Sequence, residues 1–177
     1  MHTAGVLLRP ERAGDEQPIG RIHGEAFRSP ATPDDVPTEV ALVEQLRASD
    51  AWIPALSLVA VIDGQVVGHV VCTRANVDTH AALALGPIAV EVARQNSGIG
   101  KTLIEAVVAQ ADALGESLIC LVGSTDYYNR LGFVPSTELG IEPPDATWGD
   151  HFQARPLTAY DSAIKGRFRY ARPFGLV

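Results

Sequence analysis

A chain of 177 residues is long enough for one domain with a real core, and 46% hydrophobic with 20% charged residues is ordinary for a globular protein. The formal net charge is −7, so the basic footprint of a nucleic-acid binder is absent and no nucleic-acid partner is expected. No apolar run reaches a membrane span, the opening residues carry no signal-peptide pattern, and the two cysteines, Cys72 and Cys120, have no metal or redox spacing. The chain reads as cytoplasmic, free of membrane and metal, with both cysteines as small buried hydrophobes in a reducing compartment.

Val6-Leu7-Leu8 is a short apolar strand ended by Arg9-Pro10. Ile19, Ile22, His23, Ala26 and Phe27 recur at helical spacing, and Ser29 to Pro37 is a proline-rich loop. A second helix begins near Thr38, read as its N-cap, and buries Val40, Leu42, Val43 and Leu46. Ser57 to Ile62 and Val66 to Cys72 are β-branched runs joined by Asp63-Gly64-Gln65, which predicts a hairpin. Ala75 to His80 is polar and reads as a turn leading into a strand over Ala81 to Val90. Gly86-Pro87 inside that strand marks a bulge, because proline cannot donate to a ladder and glycine weakens one.

Gln95-Asn96-Ser97-Gly98-Ile99-Gly100-Lys101 then opens a helix that buries Ile99, Leu103, Val107 and Leu114 and is capped by Gly115. A glycine turn at a helix start leaves backbone N–H groups free at the positive end of the helix dipole, which makes an anion site. Gly100-Lys101-Thr102 resembles the end of a P-loop, but the glycine that motif requires five residues earlier is Gln95. No Asp on the next strand, Leu118 to Val122, would hold Mg²⁺, so ATP-dependent phosphotransfer is the weaker reading. Gly123-Ser124-Thr125-Asp126 supplies a turn and a cap for a short helix over Tyr127 to Leu131. Ser136 to Gly149 is a proline-bearing excursion, and Phe152 to Pro156 and Phe168 to Tyr170 are the last two strands.

Gln95-x-x-Gly98-x-Gly100 after Ile88-Ala89-Val90, followed by Tyr128-x-x-x-Gly132-Phe133, resembles the paired signatures of the GNAT superfamily of N-acetyltransferases. The tail, with Leu85-Gly86-Pro87-Ile88-Ala89-Val90 and Tyr127-Tyr128-Asn129-Arg130, is similar to a subgroup of predicted bacterial N-acetyltransferases. The resemblance implies one α/β (α+β) domain over residues 1–177. Its central mixed twisted sheet has about seven strands, is flanked by about four helices and is splayed between strands 4 and 5. It also implies acetyl transfer from acetyl-CoA to a small-molecule or peptide amine in a ternary complex, and it allows a homodimer. By the same resemblance, Gln95, Asn96, Ser97, Gly98, Ile99, Gly100 and Lys101 would hold the diphosphate. Ile88, Ala89 and Val90 would pair with the pantetheine arm, and the Ile88 N–H would stabilise the thioester oxyanion.

Tyr128 would protonate the leaving thiolate. For the base, Glu25 on the first helix and His80 before the bulged strand are favoured over Asp78 and His151. His23 and His69 sit in apolar runs and read as satisfied histidines. Trp52 and Trp148 read as packing. The other class of function is a GNAT-fold module that binds acyl-CoA without chemistry, as a sensor or partner.

Overall fold

The computed structural model describes residues 5–175. Strands β1 (Leu7–Pro10), β2 (Ser57–Ile62), β3 (Gln65–Val77), β4 (His80–Val90), β5 (Leu118–Val122), β6 (Val134–Pro135), β7 (Ile141–Glu142), β8 (Phe152–Pro156) and β9 (Gly166–Arg169) alternate with four α-helices. These are α1 (Glu16–Ala26), α2 (Thr38–Arg47), α3 (Ile99–Ala113) and α4 (Thr125–Asn129). The sheet order is β1-β2-β3-β4-β5-β8-β6, with β9 beside β3 and β7 beside β9. The described pairs are antiparallel except β4 with β5 and β7 with β9, so the sheet is mixed, as expected. Among the described residues it has nine strands rather than about seven; the additions are the two-residue strands β6 and β7, the second of which lies in the expected excursion.

Two compact units share the chain: Met1–Val71 with Pro87–Val107, and Cys72–Gly86 with Val108–Val177. In the first, the Asp63-Gly64 hairpin forms with both residues at positive φ, as the turn chemistry requires. β2 pairs with β3 through a register shift at Ala60/Val61. Ile19 and Ile22 of α1 and Val43 of α2 pack on Val59, Val61, Val66 and Ala89. On α3, Ile99 and Leu103 approach the β3 backbone at Gly68, where an added Cβ would lie 3.0 Å from Leu103 Cδ1. That contact fixes the start of α3 against the strand.

A buried polar chain ties β1, β2, β3 and the two helices. Ser57 Oγ–H donates to Glu11 Oε2 at 2.6 Å, and Arg47 Nε–H donates to Glu11 Oε1 at 2.6 Å. The Ser57 oxygen therefore accepts from His69 Nε2–H at 2.9 Å. This leaves His69 Nδ1 bare to accept from His23 Nε2–H at 2.9 Å. Both rings are then neutral. Burial lowers the His23 pKa to about 3, helped by His69 and Arg47, and burial lowers that of His69 as well. Burial alone would raise the Glu11 carboxyl, but the donors His69, Arg47 and Ser57 outweigh it and hold it at about 2. His69 is thus a satisfied core histidine as expected. His23 is buried, but its Nδ1 has no partner among the described residues.

In the second unit, β4 and β5 pair only at Leu83↔Ile119 and Ala84↔Cys120. The ladder stops short of Gly86, which takes φ +134°, a conformation open to glycine, so the pairing with β5 breaks off near the Gly86-Pro87 position read from the sequence. Phe152, Phe168, Ile141 and Ile164 fill the core beside Cys120, whose thiol is pushed up by burial. Several boundaries differ from the sequence reading, among them α4, which spans Thr125–Asn129 rather than Tyr127 to Leu131, and Leu114, which lies just past α3 and is exposed rather than buried. Ala75–Val77 is the end of β3, not a turn; Ala75 and Val77 are buried and only Asp78-Thr79 turns. Pro37, not Thr38, occupies the N-cap of α2. The excursion over Ser136 to Gly149 contains β7 and two 3-10 turns, with Ser136 and Ile141 buried.

Candidate active site

The glycine turn is built in the first unit. β4 ends at Val90, and the Val90 carbonyl accepts from Gln95 Nε2 at 3.2 Å. Arg94 Nε donates to Glu91 Oε2 at 3.0 Å, and Ser97 Oγ donates to the Arg94 carbonyl. Asn96 at φ +61° and Gly98 at φ +91° reverse the backbone into α3. Thr102 is the first residue of the turn whose N–H finds a main-chain acceptor, Gly98 O at 3.0 Å. Among the described residues, no main-chain acceptor takes the N–H groups of Asn96 to Lys101. Residues 95–98 are exposed, Gly100 is half-buried and Ile99 is buried, so the donors of Asn96, Ser97 and Gly98 lie at the surface at the positive end of a 15-residue helix. Lys101 Nζ lies 3.8 Å from Glu105 Oε1 and is well exposed, so its charge is partly offset.

On β4, Ile88 and Val90 are half-buried and alternate with buried Pro87 and Ala89. The Glu91 N–H donates to Val67 O at 2.8 Å, which keeps this end of β4 on β3. Glu25 is exposed on α1, 3.8 Å from Arg21 Nη1, and Arg21 also reaches Glu91 at 3.5 Å. His80 is exposed at the opening residue of β4, the other end of that strand from Ile88. Trp52 lies under the Arg47 guanidinium at 5.4 Å.

Tyr128 belongs to the second unit. Ser124 caps α4 by accepting from the Tyr127 N–H, and Tyr128 N–H donates to Ser124 O at 3.1 Å. The Tyr128 ring meets Phe133 edge-on at 5.7 Å and Tyr127 at 5.0 Å. It lies so close over Gly123 that a Cβ there would stand 2.5 Å from Tyr128 Cε2. The Gly123 carbonyl accepts from Gln153 Nε2 and His151 Nδ1, both at 3.1 Å, which holds the strip under the ring in place. The hydroxyl makes no hydrogen bond to a described residue, so this is not a core tyrosine with a satisfied oxygen. Burial, and then Tyr127, push its pKa up to about 12, so it carries its proton at neutral pH.

The role of Gly123 was not visible in the sequence, because in Gly-Ser-Thr-Asp a glycine reads as a turn residue. Asp78 is engaged with the Arg167 N–H at 3.0 Å. Trp148 packs on Phe152 and Tyr170, as expected. Among the described residues no cluster of three or more His, Cys, Asp or Glu forms a metal site, and no helix is long and apolar enough to cross a membrane.

The acetyltransferase (GNAT) family profile matches residues 20–133. An uncharacterized N-acetyltransferase of Escherichia coli, YjhQ, is 32% identical over 143 residues, covering 76% of this chain and 79% of that protein. A GNAT-family acetyltransferase of Brucella melitensis, solved with acetyl-CoA, is 30% identical with a TM-score of 0.77, covering 97% of this chain and 99% of that one. The fold is also that of E. coli YhbS, solved with CoA, at a TM-score of 0.85 and 23% identity, covering 99% of this chain and 96% of that one. With the signature turn, the parted strand pair and the tyrosine motif in this order, the chain belongs to the GNAT acetyltransferase family.

Proposed function

We propose that this protein is an acetyl-CoA-dependent N-acetyltransferase that moves the acetyl group directly to an amine acceptor in a ternary complex. The observation that carries the reading is the run of unpaired N–H groups from Asn96 to Lys101 at the start of α3. These donors fit a diphosphate, and the proteins from Brucella melitensis and Escherichia coli with the same fold were solved with acetyl-CoA and CoA. Gln95 shapes the turn through the Val90 carbonyl. Ile88, Ala89 and Val90 offer main chain to the pantetheine arm beyond the point where the β4–β5 ladder stops.

The Ile88 N–H stabilises negative charge on the thioester oxygen as the amine attacks. Tyr128, protonated at neutral pH, donates its proton to the departing thiolate. The amine loses its proton to Glu25; His80, at the opposite end of β4 from Ile88, is too far along the strand to serve a thioester held there.

Tyr128→Phe is expected to lower kcat about 100-fold while acetyl-CoA affinity stays within about twofold, because the hydroxyl acts in the transition state rather than in ground-state binding. Steady-state release of free thiol across an amine panel, paired with calorimetry of acetyl-CoA, reads both. Full turnover in the variant removes the general-acid role. Coenzyme binding by the unaltered protein with no turnover on any amine would favour the binding module instead.

A further inference from the structure

The second unit holds a cleft lined by none of the residues given a role in the proposed acetyl transfer. It has a volume of about 610 Å³ and runs along the outer edge of β9, walled by Pro144 to Ala146 on one side and by Arg167, Arg169 and Tyr170 on the other. A volume of this size is in the range of small-ligand sites. Its origin lies in the sequence. β7 pairs with β9 only at Ile141↔Gly166 and Glu142↔Arg167. Pro144 has no N–H to extend that ladder, so the chain leaves the strand and the edge stays open.

Arg167 and Arg169 are two residues apart on one strand, so both side chains leave the same face, while Phe168 between them is buried on the other. Arg167 Nη2 donates to Pro144 O at 3.1 Å, which pins that guanidinium across the cleft. The Arg169 side chain is exposed and makes no hydrogen bond or ion pair to a described residue, while its main chain pairs with Asn76 of β3. Among the described residues lining the cleft, which include Gly175, the one carboxylate is Asp145, already accepting from Thr147 N–H at 2.9 Å and Thr147 Oγ1–H at 2.6 Å. Two guanidiniums therefore face one engaged carboxylate in a chain whose net charge is −7. Tyr170, half-buried and held by Phe168 at 5.0 Å, adds a rigid aromatic wall.

We propose that this cleft binds a small organic oxyanion, a carboxylate or phosphate monoester, with Arg169 and Arg167 on the charged group and an apolar body against Tyr170. A planar guanidinium with free donors matches either oxyanion, and a concave wall raises the local field. The proposal does not depend on acetyl transfer.

Benzoate, phenyl phosphate and benzamide share one ring and differ in the group the arginines would read. Each is titrated into the full-length protein and followed by amide shifts of Ala146, Arg169 and Tyr170. Benzoate or phenyl phosphate should move these signals saturably, and benzamide should bind at least about tenfold more weakly, the worth of a charge-assisted hydrogen bond. The stronger of the two anions identifies the charged group. Arg169→Ala, an exposed position, should weaken the anion by about the same factor, whereas Arg28→Ala, exposed on another loop, should not. Absence of shifts, equal binding of benzamide, or indifference to Arg169→Ala would each overturn the proposal.

Discussion

Gly98→Val is expected to remove acetyl-CoA binding, with affinity falling at least about 100-fold. Gly98 sits at φ +91°, where a β-branched side chain is strained by roughly 1–3 kcal/mol or more. The turn relaxes by leaving that conformation, and the donors that follow it lose their common direction. The added branches also fill the exposed space in front of the turn. Both effects act on the same ligand, so they compound. Stability should fall by no more than that strain, because Gly98 is exposed and has no neighbour within 4 Å of an added Cβ. Calorimetry of acetyl-CoA beside a thermal melt separates the two. Unchanged affinity would place the diphosphate elsewhere.

The second large effect is on stability. Glu11→Ala should cost about 3–5 kcal/mol and lower Tm by roughly 10 °C, because it strands a buried charge and its donors. Arg47 and Ser57 would lose their shared acceptor, and Arg47 Nη2 already has none among the described residues. The same chain predicts acid sensitivity, in two windows. Glu11 has a folded pKa near 2 against an ordinary 4.5, so its contribution is complete above pH 4.5 and is lost as pH falls toward 2. His23 has a folded pKa near 3 against 6.5, so stability falls as pH drops from 6.5 toward 3, where the unfolded chain takes up the proton first. Urea unfolding of the wild type across this range should show the decline beginning below pH 6.5. In Glu11→Ala the slope between pH 4.5 and 2 should flatten. A Tm within 2 °C of wild type would show that the chain is incidental.

Both results bear on what a sequence exposes. The glycine turn was legible because its residues are contiguous and each has a backbone reason to be there: Gly98 for positive φ, Gln95 for the bond to Val90. Gly86-Pro87 was legible for the same reason, since a missing donor and a flexible residue interrupt any ladder. The polar chain was not. Ser57, His69 and His23 come from β2, β3 and α1 and Glu11 from the turn after β1, and His23 and His69 meet across 46 positions. Ser57, His69 and His23 each read as an isolated polar group in an apolar run, and Glu11 as one charge in a polar stretch. The two-residue strands β6 and β7 show no periodicity at all. The end of β3 looked polar because exposed Asn76 and half-buried Arg74 alternate with small Ala75; Arg74 is held by Glu116 at 2.7 Å. Tyr128 was placed by its motif, but that its hydroxyl is free and its ring is seated on Gly123 depends on tertiary packing.

Amide NMR during an acetyl-CoA titration reads the donors at the start of α3 one by one. Saturable shifts are expected at Ser97, Gly98, Ile99, Gly100 and Lys101, moving together with one dissociation constant. Coenzyme that binds while those five amides stay still would contradict their role as the diphosphate site.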